Sequence, residues 1–397
     1  MLLLALLWCP PALALNDAQQ LVVEAWRLVN QSYVDPARFE AVNWRHLRQK
    51  ALERPIQTYG DAHGAIEAML RPLGDPYTRL LRPDDYRALR GTTRGSVSGV
   101  GLQLALRDGQ IVVIAPLDGS PAAAAGIASG SEILRVDGRP AAELGLEGTA
   151  AALRGAAGTE VLVELRPPQG QPRDLALQRR TVDLQPLQQR LMRHGDQRIG
   201  YVRITQFSEP VPRQFAQALA QLTADAGTDG LDGLILDLRN NSGGLVDAGL
   251  AVANDLLDAA PIVATIDRDG GAVEQDARPG RLYGGPMLTL VNGGTASASE
   301  ILAGALQDDG RSRLLGRRTF GKGLIQTLIT LSDGSGLAVT VARYETPNGR
   351  DIQNQGIAPD LVADDDEPLN PGGDDDPWLQ TALAALGQTI DSAAPSP

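Results

Sequence analysis

Cysteine and lysine are nearly absent from this chain of 397 residues, which contains one cysteine and only two lysines. The single Cys9 excludes an internal disulfide and a zinc site built from cysteines. The three histidines show no His-x-x-x-His spacing, which excludes a metallopeptidase helix. A net charge of −12 argues against general nucleic-acid binding, because phosphate contacts need a basic face. We therefore predict no nucleic-acid partner.

The scarcity of lysine draws attention to the two that are present, Lys50 and Lys322. Arginine supplies nearly all the other cations, yet it stays protonated, whereas a buried lysine can lose its proton. A retained lysine is therefore either a base for chemistry that arginine cannot perform or a residue kept by chance. Lys50 lies between Arg48 and Glu53, a setting typical of a solvated helix.

Length and composition indicate a folded protein of two or three domains. Apolar residues make up 43% and charged residues 21% of the chain, which is ordinary for globular proteins. Glycine and proline, with 44 and 26 residues, stay below the range of low-complexity sequences. Collagen, long coiled coils and wholesale disorder are thereby excluded.

The amino terminus has the pattern of a secretory signal peptide over residues 1–14. An apolar run at Leu2–Trp8 is broken by prolines and followed by Ala12-Leu13-Ala14, an Ala-x-Ala cleavage signal. The run is too short to span a membrane, which takes about 20 apolar residues. We expect export with cleavage near Ala14. The alternative is a buried amphipathic first helix, since the basic region that usually precedes the apolar run is missing.

Changes of pattern along the chain predict a multidomain α+β protein. Residues 15–93 show helical spacing of apolar residues. Residues 94–182 hold short strand-like runs between turn signals, which predicts a compact α+β module. Residues 183–365 alternate strands and helices. Residues 366–397 form an acidic tail with a short helix near Trp378–Leu386, and the rest of this tail is expected to be solvated and flexible.

Two continuous apolar runs, Leu234–Leu238 and Met287–Val291, predict parallel strands buried on both faces. A helix is predicted after each of them, near Leu245–Leu257 and Ala298–Leu306. This order gives an α/β layer, which places ligands at the carboxyl ends of its strands. The loops after the two runs are therefore candidate sites.

The segment Val291–Glu300 joins the second buried strand to its helix and contains Ser297. Glycines allow a sharp turn, and a serine at a helix start lies beside free N–H groups of the kind that an oxyanion needs. The spacing Ser297-x-x-Glu300 is also a capping box. On this segment alone, a helix cap is the simpler interpretation of the serine than a nucleophile.

The segment Asp237–Gly244 follows the first buried strand and ends in two glycines. Gly243 and Gly244 could offer backbone N–H groups to an oxyanion. A turn stabilised by asparagine side chains is the alternative.

Lys322 lies in the segment Thr319–Gln326, between two glycines and beside apolar residues. Such surroundings desolvate an amine and lower its pKa, so a neutral Lys322 could take a proton from a serine. In an extended strand Lys322, Leu324 and Gln326 point to the same side, which would let Gln326 orient the amine. A phosphate-binding loop is the rival interpretation, but the full P-loop spacing is missing.

Taken together, these segments resemble the carboxyl-terminal processing peptidases, the tail-specific serine proteases. The match runs along almost the whole chain after the signal peptide, and the combination of motifs is far more specific than any one of them. The segments that carry it are SPAAAAGIASGSEILRVDG (120–138), LDLRNNSGG (236–244), VNGGTASASEILAGAL (291–306), RRTFGKGLIQ (317–326) and TPNGRDIQNQGIAPD (346–360).

The resemblance implies an N-terminal helical domain, an inserted PDZ domain and a protease core of the ClpP/crotonase-like α/β fold. It implies that Ser297 is the nucleophile, Lys322 the general base and Gln326 the residue that positions the lysine. No metal or cofactor is implied. The oxyanion hole would be formed by backbone N–H groups, namely that of Ala298 with that of Gly243 or Gly244.

The middle module resembles a PDZ domain, which would receive a free carboxyl terminus in a loop of backbone N–H groups and add the peptide as a strand. Arg154 either contacts that carboxylate or the protease core, or is a surface cation. The residues implied in binding the substrate's carboxyl terminus are Gly99, Val100, Gly101, Leu102, Leu104 and Arg154.

The pair Asn43-Trp44 and the segment Tyr77–Leu80 resemble the photosynthetic branch of the family. Its enzyme trims the carboxyl-terminal extension of the photosystem II reaction-centre precursor in the thylakoid lumen. The resemblance implies protein tails as substrates, including a membrane protein reached from the lumenal side. It also implies a location in the thylakoid lumen or the periplasm.

The sequence as a whole predicts an exported Ser/Lys endopeptidase. Two other functions stay open: a PDZ adaptor with an inactive protease core, and a crotonase-like acyl-transfer enzyme, since glycine-rich oxyanion loops recur on related layers. The complete set of Ser297, Lys322 and Gln326 argues against the adaptor. The PDZ module argues against acyl transfer, where a grip on peptide termini has no obvious use.

Overall fold

The computed structural model describes residues 15–91, 96–183, 185–368 and 371–393. The predicted signal peptide, with Cys9, lies outside these residues. The helices are α1 (Asp17–Ser32), α2 (Pro36–Ala41), α3 (Trp44–Leu52), α4 (Tyr59–Leu70), α5 (Pro83–Gly91), α6 (Pro121–Ala124), α7 (Ala141–Leu153), α8 (Val211–Asp225), α9 (Val246–Leu256), α10 (Ala298–Asp308) and α11 (Pro377–Ala393). In this part of the chain no helix is both long and apolar enough to cross a membrane.

The strands lie after the first four helices, and from α8 onwards helices separate single strands or groups of strands, as the sequence pattern predicts for residues 183–365. They are β1 (Arg79–Leu81), β2 (Ser96–Gly99), β3 (Leu102–Arg107), β4 (Gln110–Pro116), β5 (Glu132–Val136), β6 (Arg139–Pro140), β7 (Glu160–Arg166), β8 (Arg173–Gln178), β9 (Arg180–Asp183), β10 (Leu187–His194), β11 (Gln197–Ile204), β12 (Gly233–Asp237), β13 (Pro261–Asp267), β14 (Ala272–Asp276), β15 (Met287–Val291), β16 (Arg313–Gly316), β17 (Leu324–Thr330), β18 (Gly336–Glu345) and β19 (Leu361–Val362).

The chain divides into two compact units. The first holds the residues up to Arg87 together with residues 326–341, and the second holds residues 88–325 and 342–397. Residues 326–341 therefore group with the N-terminal helices, whereas the sequence pattern assigned them to the protease core.

The first unit is a helical bundle joined to a strand pair. α1 begins at a capping box, in which the Asn16 side chain accepts the Gln19 N–H and the Gln19 side chain accepts the Asn16 N–H. β1 pairs antiparallel with the first residues of β18. Apolar side chains of the helices and of residues 326–341 share one core, which includes Leu21, Val22, Trp44, Ile66, Met69, Leu331, Leu337 and Val339.

The PDZ-like module of the second unit is a sheet with the strand order β3-β4-β5-β7-β8, where β6 pairs with β5. β3 forms one edge of this sheet, and α7 packs against it. α7 starts at Ala141 and is kinked at Gly145, whose φ is +67°.

The core sheet of the second unit has the order β10-β11-β12-β15-β16-β19, and all its pairs except β10–β11 are parallel. Side chains alternate between its faces, as strand geometry requires. On β12, Leu234 and Leu236 pack with α8, α9 and α10, whereas Ile235 packs with α11. The predicted strands buried on both faces are thus confirmed.

The carboxyl-terminal helix corrects one expectation. α11 runs from Pro377 to Ala393, about twice the length of the predicted short helix, and covers the second face of the core sheet. Trp378 and Leu379 on α11 are fully buried. The helix predicted at Trp378–Leu386 is present, and the expectation of a flexible segment is wrong only for residues 387–393, into which α11 continues. Apolar residues at helical spacing bury one face of α11 against the sheet.

Candidate active site

Three loops that the sequence singles out lie in the second unit, and each borders a strand. The glycine loop (residues 238–245) follows β12, the nucleophile loop (residues 292–297) follows β15, and the base loop (residues 317–323) precedes β17. β12 and β15 are parallel neighbours, so the first two loops leave the same edge of the sheet.

Backbone hydrogen bonds bring the three loops together. The Ala296 N–H donates to the Asn241 carbonyl at 2.9 Å, which joins the nucleophile loop to the glycine loop. The Phe320 N–H donates to the Thr295 carbonyl at 2.9 Å, which joins the base loop to the nucleophile loop. The predicted nucleophile and the predicted base therefore belong to one connected structure.

Ser297 has a backbone conformation that is unfavourable for any residue with a side chain. It directly precedes α10, with φ +57° and ψ −121°. Such conformations cost on the order of 1–3 kcal/mol and persist only where the surroundings hold them. Its carbonyl accepts the N–H groups of Glu300 at 2.8 Å and Ile301 at 3.0 Å. Ser297 therefore accepts the first hydrogen bonds of α10 and occupies its N-cap position. The position suits a helix cap and a nucleophile alike.

Glu300, which the sequence marks only as the partner of a cap, is fully buried. Its Oε2 accepts the N–H groups of Ser297 at 3.0 Å and Lys322 at 2.9 Å. Its Oε1 accepts the Thr319 hydroxyl at 2.5 Å and the Gly321 N–H at 2.7 Å. Burial raises the pKa of Glu300, and these four donors oppose the rise. One carboxyl group thus joins the backbones of both predicted catalytic residues.

Lys322 is half-buried in the base loop, directly after Gly321. Gly321 has φ +87°, and a Cβ there would lie 2.7 Å from the Gly356 nitrogen, so only glycine fits beside the lysine. Phe320, in the same loop, is 5% exposed. The apolar setting of the Lys322 amine and its lowered pKa stay predictions.

The strand that carries Gln326 begins after the lysine. β17 starts at Leu324, so strand alternation relates Leu324 to Gln326 but leaves Lys322 in the preceding loop. Because Lys322 lies before the strand, strand alternation does not relate its side chain to Gln326. The Nε2 of Gln326 is buried without a hydrogen-bond partner among the described residues. The role of Gln326 in orienting the amine stays a prediction.

The two glycines of the glycine loop are placed differently. Gly243 has φ +102°, and a Cβ there would lie 2.8 Å from the Ser297 Cβ and 3.1 Å from the Ala298 nitrogen. At Gly244 a Cβ would lie 2.0 Å from the Phe207 carbonyl oxygen instead. Gly243 is therefore the glycine that lies against the predicted nucleophile and the start of α10.

The N–H of Gly243 has a partner in this structure. It donates to the Asn241 Oδ1 at 2.9 Å, while the Asn241 Nδ2 donates to the Ile204 carbonyl at 2.9 Å. The asparagine-stabilised turn that the sequence allowed is therefore present. An oxyanion that used this N–H would have to replace the amide oxygen of Asn241.

A buried network of charges, which sequence reasoning missed, supports the glycine loop. Asp237 accepts hydrogen bonds from the Arg239 guanidinium and, at 2.7 Å, from the Tyr201 hydroxyl. Arg239 also binds Asp376 at 2.6 Å, and Arg203 lies 3.1 Å from Asp237. Burial opposes ionisation, but the arginines prevail and hold the pKa of Asp237 well below its usual value. The available signal was Asp237, a charged residue inside a run predicted to be buried, with Arg239 directly after the run.

The predicted carboxylate-binding loop precedes the edge strand β3. At Gly101, φ is +76° and a Cβ would lie 2.2 Å from the Ser120 Cβ, so this position is closed to other residues. The carbonyls of Val100 and Gly101 accept the N–H groups of Ala122 at 3.0 Å and Leu117 at 2.9 Å. Backbone hydrogen bonds thus fix the loop next to the free edge where a peptide strand could add.

The other predicted tail contacts surround the same edge. Leu102 and Leu104 are half-buried and pack on the core of the PDZ-like module. Gly99 forms an isolated antiparallel bridge with Arg154, which is itself half-buried. The structure brings these residues together. Whether Arg154 contacts the carboxylate of a substrate or the protease core stays a prediction.

The PDZ-like module also contacts the base loop and the nucleophile loop. The Arg107 guanidinium lies 3.9 Å from the centre of the Phe320 ring and donates to the Phe320 carbonyl. A small apolar cluster joins residues of β3 and β4 with Ala296 and Phe320. The strand predicted to bind a peptide therefore ends directly at the loop that carries the predicted base.

A second set of polar contacts joins the module to the core. The Arg203 guanidinium donates two hydrogen bonds to Asp118, each at 2.9 Å. The Ser129 hydroxyl donates to the Asn240 Oδ1 at 3.2 Å. These contacts connect the module with the core sheet and the glycine loop.

Known proteins resemble this chain over nearly its full length. Residues 198–363 match the model of peptidase family S41, and residues 112–167 match that of the PDZ domain. The carboxyl-terminal-processing protease of Picosynechococcus sp. is 45% identical, over 95% of this chain and 91% of that protein. The protein of the same name from Synechocystis sp. is 46% identical, over 89% of this chain and 83% of its own.

A solved structure supports the same assignment. The photosystem II D1 C-terminal processing protease superposes with a TM-score of 0.78 at 38% identity, over 94% of this chain and 98% of that one. The multidomain fold with a PDZ domain and an S41 core is therefore confirmed. The chain belongs to the carboxyl-terminal-processing proteases of peptidase family S41 and is a serine peptidase that carries a PDZ domain.

Proposed function

We propose that Ser297 and Lys322 form the catalytic dyad of an endopeptidase that removes carboxyl-terminal extensions from exported proteins. The observation that carries this proposal is the Glu300 carboxylate, whose Oε2 accepts the backbone N–H groups of both residues. A buried carboxyl group that joins two loops distant in sequence is expensive to maintain unless the relative position of those loops matters.

The proposed chemistry begins with a neutral Lys322. Its amine takes the proton of the Ser297 hydroxyl as the oxygen attacks the scissile carbonyl, which becomes a tetrahedral oxyanion. A desolvated amine, as the flanking glycines and apolar residues of the sequence predict, favours this neutral form. The lysine then gives its proton to the departing amine. A water molecule activated by the same lysine releases the acyl group from the serine.

Backbone N–H groups would hold the oxyanion. The first N–H groups of a helix have no partner within it and carry the positive end of the helix dipole, and Ala298 is the first residue of α10. Gly243 lies against Ser297 and would supply the second donor once its N–H leaves Asn241. Placement of Gly243 beside the serine favours it over Gly244 for this role.

The PDZ module would select the substrate by its free carboxyl terminus. The tail would add as a strand to the edge of β3, with its carboxylate at the loop of residues 99–101. β3 ends at Arg107, which contacts Phe320 in the base loop. A tail bound in this way leads towards the proposed dyad.

Resemblance to named relatives supports a substrate and a location. The structural match is named for processing of the photosystem II D1 protein, and the relatives from Picosynechococcus sp. and Synechocystis sp. are named for carboxyl-terminal processing. We take the photosystem II reaction-centre precursor as the substrate, a membrane protein reached from the lumenal side. Residues 1–14 would direct export to the thylakoid lumen or the periplasm.

The test is mass spectrometry of a peptide that ends in the precursor tail, supplied as the free acid and as the amide. The wild type, Ser297→Ala and Lys322→Arg are compared, with Ser299→Ala as the neighbouring control. We expect cleavage of the free acid by the wild type and by the control only. Arginine keeps the positive charge of a lysine but cannot accept a proton. Loss of cleavage in Lys322→Arg would therefore identify Lys322 as the base.

Other results select other functions. Cleavage by Ser297→Ala would contradict the nucleophile assignment. Tail binding without cleavage would favour a PDZ adaptor, and binding of an acyl-coenzyme A would favour a crotonase-like enzyme. Equal cleavage of the acid and the amide would contradict selection by the free carboxylate.

A further inference from the structure

The hydroxyl of Tyr344 links the same two residues that Glu300 links. Tyr344 lies near the end of β18 and is 1% exposed. Its hydroxyl donates to the Lys322 carbonyl at 2.7 Å and to the Ser297 carbonyl at 3.1 Å. A phenol has a single proton to donate, so this bond is shared between two acceptors. Two carbonyl oxygens from different loops therefore converge on one atom.

The contacts of Tyr344 and Glu300 are complementary. Glu300 accepts the N–H groups of Ser297 and Lys322, whereas Tyr344 donates to their carbonyls. Both residues are buried, so water does not compete for these bonds. The peptide groups on both sides of each predicted catalytic residue are thus held by side chains.

The main chain of Tyr344 adds a further tie to the base loop. Its N–H donates to the Gly323 carbonyl at 3.0 Å. Glycines flank Lys322 on both sides, and glycine leaves a backbone more freedom than other residues. A base carried between two glycines holds its direction only if neighbouring groups fix its peptide planes.

We infer that Tyr344 is a positioning residue for the serine–lysine pair. The inference rests on the proposed function, because Tyr344 acts through Ser297 and Lys322 and not on the substrate. Its hydroxyl keeps the strained backbone of Ser297 and the glycine-flanked backbone of Lys322 at a fixed separation. Misplacement of reacting groups by about 1 Å can cost about a hundredfold in rate, so such a tie affects turnover.

The test compares Tyr344→Phe with Tyr283→Phe. Both substitutions keep the ring and remove a hydroxyl that donates to a backbone carbonyl; that of Tyr283 bonds to Pro286 at 3.2 Å, outside the three loops. We expect Tyr344→Phe to lower kcat about ten- to a hundredfold with little change in KM. We expect Tyr283→Phe to match the wild type in both constants.

A second measurement separates positioning from folding. A fluorophosphonate probe reports the reactivity of the serine directly, and its labelling rate should fall in parallel with kcat in Tyr344→Phe. The acid limb of the pH–rate profile should also move, since the surroundings of the base have changed. All rates are taken well below the melting temperature of each variant, so that folded proteins are compared.

The outcomes distinguish this inference from the proposed function. If Ser297→Ala and Lys322→Arg are inactive while Tyr344→Phe labels and turns over like Tyr283→Phe, the positioning role is wrong and the dyad stands. If either dyad variant keeps full activity, the proposed function fails first. A fall in kcat with unchanged labelling and an unchanged pH profile would also contradict the inference.

Discussion

The nucleophile loop and the predicted PDZ carboxylate loop are both proposed to offer backbone N–H groups, yet they are held in different ways. Buried side chains reinforce the backbone hydrogen bonds of the nucleophile loop, above all Glu300, which accepts the Ser297 N–H and three donors of the base loop. Backbone-to-backbone hydrogen bonds and a closely packed Gly101 hold the PDZ loop. A hydrogen bond to a side chain is lost when that side chain is replaced. A hydrogen bond between backbone groups survives such a substitution and is disturbed only when a larger side chain displaces the backbone. The two regions should therefore fail under different substitutions.

Removal of a charge from the buried network should have the largest effect. Arg239→Met leaves Asp376 without its guanidinium partner and Asp237 with Arg203 alone, and breaking a buried ion pair costs about 3–5 kcal/mol. Urea denaturation should show this loss in the free energy of unfolding. Arg190→Met removes the partner of the exposed Asp374 and should cost about 1 kcal/mol or less. Equal losses would show that the network does not support the glycine loop.

The second largest effect should be a loss of turnover when a larger residue replaces the glycine beside the predicted nucleophile. In Gly243→Ala the new Cβ would lie 2.8 Å from the Ser297 Cβ, and we expect kcat to fall at least about a hundredfold. Gly280→Ala is the control, because Gly280 has nearly the same φ, +104°, with no atom within 4 Å of its Cβ position. Comparable losses in both would mean that backbone strain alone is responsible.

The same test on the PDZ loop should affect binding and leave turnover intact. In Gly101→Ala the new Cβ would lie 2.2 Å from the Ser120 Cβ, so the loop must shift. We expect KM for a free-acid tail peptide to rise about tenfold while kcat stays constant. Gly109→Ala, at φ +79° with open space around it, should leave both constants unchanged. A fall in kcat for Gly101→Ala would show that the two loops are not independent.

The smallest effect should be a change in the pH dependence of stability, and it should come from Asp255, a carboxyl group whose pKa is shifted by burial. Burial raises the pKa of Asp255 to about 6. The folded protein therefore binds the proton more tightly than the unfolded chain, and stability should fall as pH rises from about 4 to about 6. Asp255→Asn should remove this slope and gain about 1 kcal/mol at pH 7, a value reduced because the group is partly exposed to solvent.

Thermal melts between pH 4 and 8 provide the measurement for Asp255. Asp276→Asn, a substitution at an exposed aspartate, is the control and should keep the slope of the wild type. A variant at position 255 that retained the slope would contradict the assignment of the titration to this group.

Local patterns in the sequence predicted the strands and the three loops well. The runs at Leu234–Leu238 and Met287–Val291 are apolar except for Asp237 and Thr289, and this signal depends only on adjacent residues. Strand alternation does not relate Lys322 to Gln326, because β17 begins only at Leu324, after Gly323. A pattern of period two cannot show where a strand begins.

The residues that fix the site were harder to find, because their partners are distant in sequence. Arg239 binds Asp376, which lies 137 positions further along the chain. Glu300 was visible as a cap, but its bonds to the base loop appear only in the fold. Tyr344 carried no signal at all, since a tyrosine in a strand usually serves the core. Long-range polar pairing leaves no periodic trace in a single sequence.

Asp376 couples the carboxyl-terminal helix to the glycine loop. Its Oδ1 accepts the N–H groups of Trp378 and Leu379 at the start of α11, while its carboxylate binds Arg239 within the glycine loop. One side chain therefore both caps α11 and completes an ion pair of Arg239. A substitution at Asp376 should disturb the two elements together, although they are far apart in sequence.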